Sequence, residues 1–439
     1  MNRRNLILLA VVIIVILGPI LLLLLLSSKP SVELDPALKE IGTATPFQLH
    51  VAAPHGIRRV TASVEQNGNV YAIYQVKHPS TYLGFLGRHE PPSDLRFTAG
   101  TKNTAGLKDG PARLAIAVTS NDFRSSTATV NRDIKIDTRP PALETDGDQH
   151  YINQGGSEMV LLYPSGYWTE AGVRVGKYTF RSFNLPEGAK GRFAFFAYPW
   201  DLDPSTAPVA FAQNPAGGEA TAEFVYKLFP KHFRTRDLTI DDAFLRKVVN
   251  QIEPDGSGDL ITRFLRINGE MRRANNKTLA DLRLKTAEKF LWNGAFIQQP
   301  GSQVESQFAD VRSYIYKGKK VDQQVHLGFD LAVTQHAPVE ASNDGQVVYA
   351  QKLGIYGNCV VIDHGYGLQS IYGHLSHIGV NAGDMVKKGQ VIGHSGSTGL
   401  AGGDHLHFSL QLDGVQVNPV EWWDAHWIHD HVLRRIARP

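Results

Sequence analysis

Two stretches near the C-terminus alternate apolar and polar residues, and they constrain the fold more than any other part of the sequence. In the first stretch, residues 326–333, the apolar positions are Leu327, Phe329, Leu331 and Val333. In the second, residues 405–412, they are Leu406, Phe408, Leu410 and Leu412. Because side chains alternate between the two faces of a strand, each stretch predicts a strand that buries one face and carries polar residues on the other.

The polar faces of these two strands carry residues that bind metals. His326 and Asp330 lie on the first face, and His405 and His407 lie on the second. Two such faces side by side would form a cluster of nitrogen and oxygen donors, which predicts a metal site. His405 and His407 are two residues apart, roughly 6–7 Å along a strand, so both can face one centre.

The spacing of His326 and Asp330 requires a break in the first strand. The two residues would be ~13 Å apart in a straight strand. That distance is too long for two ligands of one ion whose bonds are ~2 Å. Gly328 lies between them and can adopt a kink or bulge. We therefore predict an irregular backbone at Gly328.

The chain from about Gly301 to Trp423 resembles the lysostaphin-like (LytM-domain) zinc metallopeptidases, which cut peptides of bacterial peptidoglycan. The resemblance lies in several ordered motifs: His-x-x-x-Asp at 326–330, Tyr-Gly-His-Leu at 372–375 and His-x-His at 405–407, with framing segments at 357–358, 362–365, 386–390 and 418–419. The sequence departs from the family at His336, where glycine is common. An antiparallel β peptidase domain is the fold that this resemblance implies.

The resemblance also implies the roles of five side chains. It assigns one Zn²⁺ per chain to His326, Asp330 and His407, and it makes His405 and His374 catalytic histidines that do not bind the metal. Zinc can lower the pKa of a bound water to near ~7 and polarise the scissile carbonyl. Imidazole titrates near neutral pH, so we assign proton transfer to His405. His374 would donate to the developing oxyanion or share the proton transfer.

The N-terminus carries a candidate membrane anchor. Residues 6–26 are an uninterrupted apolar run of 21 residues, enough to cross a bilayer core of ~30 Å. Arg3 and Arg4 precede the run, which predicts a cytoplasmic N-terminus and an external remainder. A cleaved signal peptide is the alternative, but the run exceeds the ~7–15 residues of a typical signal sequence and Leu25–Ser28 offers no Ala-x-Ala site.

Between these ends the sequence predicts β modules and a helical segment. Short alternating strands over residues 30–137, separated by turns, are typical of an immunoglobulin-like sandwich. A second β region follows at 151–226, and we interpret its aromatic run at 193–198 as core. Helices are predicted after an N-cap at Thr239–Asp242, over 260–271, and from Thr278 to about Asn293. The helical segment is either a hairpin packed on its neighbours or a cover over the zinc groove.

Composition excludes several other kinds of site. A net charge of +3 gives no argument for nucleic-acid binding. Cys359 is the single cysteine and stands in an apolar run, which predicts a buried thiol and excludes an intramolecular disulfide. Of the other histidines, we expect His364 to be a turn residue held by hydrogen bonds. His429 and its neighbours in the tail predict a solvated terminal helix in preference to a second metal site.

The sequence therefore predicts a mainly β multidomain chain with an N-terminal transmembrane helix, immunoglobulin-like β modules, a short helical segment and a C-terminal peptidase domain. The expected parts are a transmembrane signal anchor (1–28), an immunoglobulin-like domain (29–138), a second β-rich domain (139–236), a helical segment (237–297), a LytM-type zinc peptidase domain (298–425) and a C-terminal tail (426–439).

The function expected from these parts is that of a membrane-anchored zinc endopeptidase. It would act on peptidoglycan stem peptides or cross-links on the extracytoplasmic side of the bacterial membrane, with residues 6–26 as a single-pass anchor. The β modules would serve as spacers or as docking surfaces for cell-envelope proteins. Two alternatives are a noncatalytic scaffold or activator of other cell-wall hydrolases, and an adhesin or assembly protein in which hydrolysis is secondary.

Overall fold

The protein divides into two compact units. The computed structural model describes residue 15 and residues 17–34, 38–81, 85–87, 89–186 and 189–437. The first unit comprises Met1–Ala142, Ser165–Thr169 and Ala212–Ala220, and the second comprises Leu143–Pro164, Glu170–Phe211 and Thr221–Pro439. The residues of the predicted metal site all belong to the second unit.

Only part of the predicted membrane anchor lies within the described residues. Residues 17–26 are helical, whereas residues 6–14 and 16 of the predicted span lie outside the described part of the chain. Among the residues that are described, no helix combines the length and the apolar character that a bilayer crossing requires. The anchor stays a prediction.

The first unit is a β-sandwich. Its strands are β1 (Ser31–Leu34), β2 (Glu40–Ile41), β3 (Thr45–Ala52), β4 (Ile57–Gln66), β5 (Asn69–Lys77), β6 (Ser93–Ala99), β7 (Gly110–Ser120) and β8 (Thr127–Ile136). They form a three-stranded sheet, β1-β3-β6, and a five-stranded sheet, β2-β8-β7-β4-β5. One apolar core takes side chains from both sheets, as the predicted alternation requires. The immunoglobulin-like assignment of this sandwich stays a prediction.

The second β region is also built from short strands. They are β9 (Ala142–Thr145), β10 (His150–Asn153), β11 (Ser157–Ser165), β12 (Glu170–Val175), β13 (Tyr178–Arg181), β14 (Phe183–Asn184), β15 (Arg192–Ala197), β16 (Pro208–Gln213), β17 (Glu219–Ala222) and β18 (Tyr226–Phe229). The sheets are β14-β15-β11-β9, β13-β12-β16-β17 and the parallel pair β10-β18. The aromatic run at 193–198 is buried throughout, which confirms that it belongs to a core.

The helical segment follows a strand that pairs with residues 311–316, later in the chain. Strand β19 (Thr235–Ile240) leads into α1 (Asp242–Ile252), which Asp241 caps by accepting a hydrogen bond from the Phe244 N–H. The next helices are α2 (Leu260–Arg266) and α3 (Arg272–Asp281), joined without a break by a π-helical turn, Ile267–Met271.

The prediction of a separate helix from Thr278 to Asn293 is wrong. Thr278 lies inside α3, where its hydroxyl donates to the Ala274 carbonyl oxygen four residues earlier instead of capping a new helix. A short 3₁₀ turn, Leu282–Leu284, ends the helical segment, and residues 285–302 are irregular.

The remaining strands lie in the region predicted to be the peptidase domain. They are β20 (Gln303–Ser306), β21 (Asp310–Tyr316), β22 (Lys319–His326), β23 (Phe329–Ala332), β24 (Pro338–Glu340), β25 (Gly345–Lys352), β26 (Asn358–Asp363), β27 (Leu368–Leu375), β28 (His377–Ile378), β29 (Met385–Val386), β30 (Val391–His394), β31 (Leu406–Leu412) and β32 (Val415–Val417). The main sheet runs β20-β23-β31-β27-β26-β25-β29, and β19-β21-β22 forms a smaller one. The antiparallel pairs β23–β31 and β27–β31 place all three motif strands side by side.

Both faces of the main sheet are covered at its central strands. Every residue of β31 is buried, including the polar residues Ser409 and Gln411. Helices α1 to α3 pack their apolar side chains against one face, which includes Cys359. Cys359 is fully buried, as predicted, and burial raises the pKa of its thiol. The polar face predicted for β31 is present, and the helical segment covers it.

The C-terminal tail packs onto the second β region, so the prediction of a solvated helix is wrong. It comprises α4 (Val420–Trp423), α5 (Ala425–Ile428), a π-helical turn (His429–Leu433) and α6 (Arg434–Ile436). Two of its side chains, His431 and Arg435, reach a set of buried acids and a histidine on β9 to β11. We call these five residues the acid–base cluster: Asp146, His150, Glu158, His431 and Arg435.

His364 gives a prediction for the pH dependence of stability. It is fully buried beyond the end of β26, with Nδ1 2.7 Å from the Asp344 carbonyl oxygen and Nε2 2.7 Å from Ser370 Oγ. Burial lowers its pKa from 6.5 to about 4. Between these two values the unfolded chain binds the proton and the folded one does not, so stability falls as the pH falls. This histidine should contribute a loss of about 2 kcal/mol between pH 7 and pH 5.

Denaturant unfolding at pH 7 and pH 5 measures this contribution. The loss of stability on acidification should be smaller in His364→Gln than in the parent by about that amount. Taking the difference between the two proteins cancels the contribution of the other buried histidines. The exposed His426 supplies the control, because His426→Gln should keep the parent's pH dependence. An identical loss in parent and His364→Gln would contradict the prediction.

Candidate metal centre

The backbone breaks between His326 and Asp330, as the sequence predicts. Strand β22 ends at His326 in the smaller sheet, and β23 begins at Phe329 in the main sheet. A Cβ on Gly328 would lie 2.5 Å from Ser409 Oγ and 2.7 Å from the Phe408 carbonyl oxygen. Glycine is therefore needed because the chain crosses between sheets in close contact with β31.

Three side chains converge at this crossing. His326 Nε2 lies 2.9 Å from Asp330 Oδ1 and 2.9 Å from His407 Nδ1. His407 Nδ1 is 3.2 Å from the same carboxylate oxygen. All three residues are buried, and in the described part of the chain they form the one group of at least three such side chains close enough to share an ion.

The donor set fits zinc. Four ligands at ~2 Å around a tetrahedral ion are separated by about 3.3 Å, close to the observed 2.9 to 3.2 Å. Two imidazoles and one carboxylate are ligands that zinc accepts, and three protein ligands leave a fourth position open. The approach of two imidazole nitrogens to 2.9 Å is unfavourable if both carry protons and is expected for two ligands of one ion.

Backbone carbonyls and a hydroxyl orient the imidazoles. His326 Nδ1 lies 3.1 Å from the Gln307 carbonyl oxygen, which leaves Nε2 for the metal. His407 Nε2 lies 3.2 Å from Ser409 Oγ, which leaves Nδ1. Such contacts fix the tautomer and the ring orientation of metal-binding histidines. The two histidines thus offer different nitrogens to one centre.

The two predicted catalytic histidines lie beside the ligand set. His405 Nε2 is 3.4 Å from Asp330 Oδ1, and its Nδ1 lies 3.0 Å from the Gly403 carbonyl oxygen. The His374 ring centroid is 4.9 Å from that of His405 and 5.7 Å from that of His407. His374 Nδ1 lies 2.8 Å from the Thr398 carbonyl oxygen, so its Nε2 is free of that contact. All five residues singled out in the sequence are therefore together.

Burial and charge set the protonation states of these groups. Burial lowers the pKa of His326 to about 4 and lowers that of His374 well below its ordinary value. Burial alone would raise the pKa of Asp330, but the histidines around it hold that pKa well below the ordinary value. Burial opposes a charge on His405 too, yet its contact with Asp330 raises its pKa overall. Neutral imidazoles and an ionised carboxylate are the forms that bind metal.

The centre opens into a cavity of about 370 Å³. The helical segment contributes Phe244, Arg272 and Asn276 to its walls, and β21 contributes Arg312. The two interpretations of the helical segment are thus not exclusive, because the same helices pack on the sheet and line the cavity.

Sequence reasoning did not find the groups that orient the site. Gln307, Thr398 and Gly403 act through backbone carbonyls, which leave no signature in residue type. Arg312 donates to Asp330 Oδ2 over 2.6 Å. Arg312 lies two residues along β21 from Asp310, and Asp310 pairs with His326. This position is the one sequence signal that could have identified Arg312.

His336, the residue that departs from the family pattern, affects the conformation of a turn and leaves the metal ligands unchanged. His336 adopts a φ of +55°, in the left-handed region that favours glycine. Its N–H donates to Asp404 Oδ2 over 3.1 Å, which holds the turn in that conformation. The turn lies between β23 and β24, outside the set of five site residues.

Comparison with known proteins identifies the segment that carries the site. Residues 324–419 match peptidase family M23, which confirms the predicted resemblance for that segment. The chain is 43% identical over 97 residues to the DD-carboxypeptidase/endopeptidase Mpg of Neisseria meningitidis, an alignment that covers 22% of each chain. It is 37% identical over 95 residues to the murein hydrolase activator EnvC of Escherichia coli, covering 22% of this chain and 23% of that protein.

A solved structure is similar to part of the chain. The catalytic domain of the antimicrobial peptidase lysostaphin from Staphylococcus simulans aligns with a TM-score of 0.22 and 26% identity, over 33% of this chain and 96% of that domain. The chain spans about a fifth of the length of the curated relatives it matches.

Proposed function

We propose that this chain, whose residues 324–419 form a peptidase family M23 domain, is a zinc-dependent endopeptidase that hydrolyses peptide bonds in peptidoglycan stem peptides or cross-links. The observation that carries the proposal is the convergence of His326 Nε2, Asp330 Oδ1 and His407 Nδ1 within 3.2 Å of one another. The cavity beside them supplies room for a peptide, and two further histidines line it.

The five side chains have different roles in the proposed reaction. His326, Asp330 and His407 would hold the zinc ion, which supplies a Lewis acid for the scissile carbonyl and acidifies water. His405 Nε2 accepts the proton of the attacking water and passes it to the leaving amine. His374, whose Nδ1–H faces the Thr398 carbonyl oxygen, shares this proton transfer through Nε2 and, once protonated there, donates toward the oxygen that gains charge in the transition state. The carbonyls behind His374 and His405 keep both rings facing the cavity.

The place of action that we propose is outside the cytoplasmic membrane. The apolar run at residues 6–26, preceded by Arg3 and Arg4, supports a single-pass anchor with the peptidase domain on the extracytoplasmic side. Peptidoglycan, the proposed substrate, lies on that side. The sandwich and the second β region would then hold the peptidase domain away from the bilayer or bind other envelope proteins.

A second function is favoured by one observation. The similarity to EnvC, a murein hydrolase activator, suggests a scaffold that binds cell-wall enzymes without hydrolysis. The complete ligand set and the two adjacent histidines support the enzyme, because a noncatalytic groove has no need of five convergent site residues.

Metal removal separates the two functions. The purified full-length protein is incubated with peptidoglycan in the presence and absence of a chelator, and newly formed amino groups are counted. We expect release of peptide ends to fall to background with the chelator and to return when zinc is added. Binding to peptidoglycan that is insensitive to the chelator and yields no new ends would overturn the proposal in favour of the scaffold.

A further inference from the structure

The two oxygens of Asp330 have different surroundings. Oδ1 lies 2.9 Å from His326 Nε2, 3.2 Å from His407 Nδ1 and 3.4 Å from His405 Nε2. Oδ2 points to the opposite side and accepts a hydrogen bond of 2.6 Å from Arg312 Nη2. Oδ1 therefore faces the metal centre. Oδ2 is held by Arg312, which lies outside the three sequence motifs.

The hairpin of β21 and β22 fixes where this arginine lies. Asp310 pairs with His326, and Arg312 pairs with Gln324 two residues away, so all four side chains project from one face of the hairpin. Asp310 forms an ion pair with Arg234, and Arg312 forms its ion pair with Asp330. The strand that delivers the ligand His326 thus also delivers the arginine.

We propose that Arg312 is a positioning residue that restricts Asp330 to binding the metal through Oδ1 alone. A free carboxylate can rotate and bind an ion through both oxygens, which would add a fifth ligand beside the water in the fourth position and weaken the ion as a Lewis acid. The hydrogen bond from the guanidinium, which is only 18% exposed, opposes that rotation. The inference rests on the proposed zinc site and names a determinant of its coordination number.

If the ion pair between Arg312 and Asp330 only stabilised the fold, we would expect a different result from removing Arg312. In that case Arg312 would contribute to stability, and its loss would lower the unfolding temperature without altering the metal geometry. In the positioning role its loss permits a second carboxylate–metal contact. Coordination number and turnover then change in a fully folded protein.

The test uses the cobalt-substituted full-length protein, because the visible absorption of Co²⁺ weakens when four-coordination becomes five-coordination. In Arg312→Met we expect weaker visible bands and a kcat of the zinc protein lower by about 10–100-fold, with KM for a stem peptide nearly unchanged. Arg312→Lys, which keeps a cationic donor, should recover part of both losses.

Arg236 supplies the matched control. It pairs with Arg312 across β19 and β21, and it contacts the Glu305 carbonyl oxygen and Ser306 without touching Asp330. Arg236→Met removes the same charge from the same sheet and should keep the parent's cobalt spectrum and kcat. Thermal unfolding and circular dichroism of the metal-free variants establish that each is folded.

The outcomes separate the two proposals. If the parent protein binds cobalt and cleaves peptide but Arg312→Met matches it in spectrum and kcat, the positioning role is overturned and the proposed function stands. Equal changes in Arg236→Met would also overturn it, because charge alone would then be the cause. A parent protein that binds no metal and cleaves nothing would overturn the proposed function itself.

Discussion

Replacing His407 with alanine should remove the metal and the activity together, whereas replacing His405 should remove the activity alone. His407 Nδ1 is one of three donor atoms within 3.2 Å of one another, and its loss leaves only two protein ligands. His405 Nε2 lies 3.4 Å from Asp330 Oδ1 at the side of this set, in reach of the fourth position. Its loss should lower kcat by about 10²–10⁴-fold, the usual contribution of a general base.

Metal content and turnover are measured on the same preparations. Each variant is dialysed against buffered zinc, its zinc is quantified by elemental analysis, and release of amino groups from peptidoglycan is followed. We expect one zinc ion per chain in the parent and in His405→Ala, and background zinc in His407→Ala. The exposed His426 gives a control, since His426→Ala should match the parent in both measurements. Equal zinc loss in both site variants would show that the two histidines were assigned to the wrong roles.

Part of the candidate site could be predicted from local rules, whereas His374 and the role of each residue came from the family resemblance. The two-residue period of a strand placed His405 and His407 on one face, and ligand geometry required a break at Gly328. The break exists because the chain changes sheets there, as the close approach of Gly328 to Ser409 and Phe408 shows. The irregular backbone predicted at Gly328 is thus observed, and the change of sheet that causes it was not predicted.

The covering of the sheet could not be predicted in the same way. Polar residues at alternate positions of β31 look like a solvent-exposed face, yet Gln411 is fully buried. Its side-chain amide donates to the Leu279 carbonyl oxygen on α3, a residue 132 positions away in the chain. A buried amide with such a partner has the same sequence pattern as an exposed one, because the partner is a backbone atom.

The packing of the C-terminal tail could not be predicted from the sequence either, and in the tail the buried residues are charged. His431 and Arg435 lie in a polar C-terminal stretch that resembles a solvated helix. Their partners, Glu158 and Asp146, lie on the second β region, more than 270 residues earlier. Charge pairs at such separation leave no local period, so composition alone favours the solvated helix over the packed one.

Replacing Arg435 with methionine should produce the largest loss of stability that we predict. Arg435 is 6% exposed, and its guanidinium lies 3.4 Å from Asp146 Oδ2 and 3.9 Å from Glu158 Oε1. Glu158 is fully buried; burial would raise its pKa, but contacts with His150 and His431 lower that pKa to about 2. Glu158 therefore stays ionised, and removing the arginine leaves buried acids short of positive charge. The expected cost is about 3–5 kcal/mol.

Urea unfolding at pH 7 measures this cost, and two further variants establish its cause. Arg434→Met removes an exposed arginine from the adjacent position of the same helix and should cost less than about 0.5 kcal/mol. Adding Glu158→Gln to Arg435→Met removes the unpaired charge, so the double variant should recover part of the loss, although His431 then loses its carboxylate partner. If Arg435→Met costs no more than Arg434→Met, the acid–base cluster does not fasten the tail to the second β region. If the double variant is no more stable than Arg435→Met, uncompensated charge is not the cause.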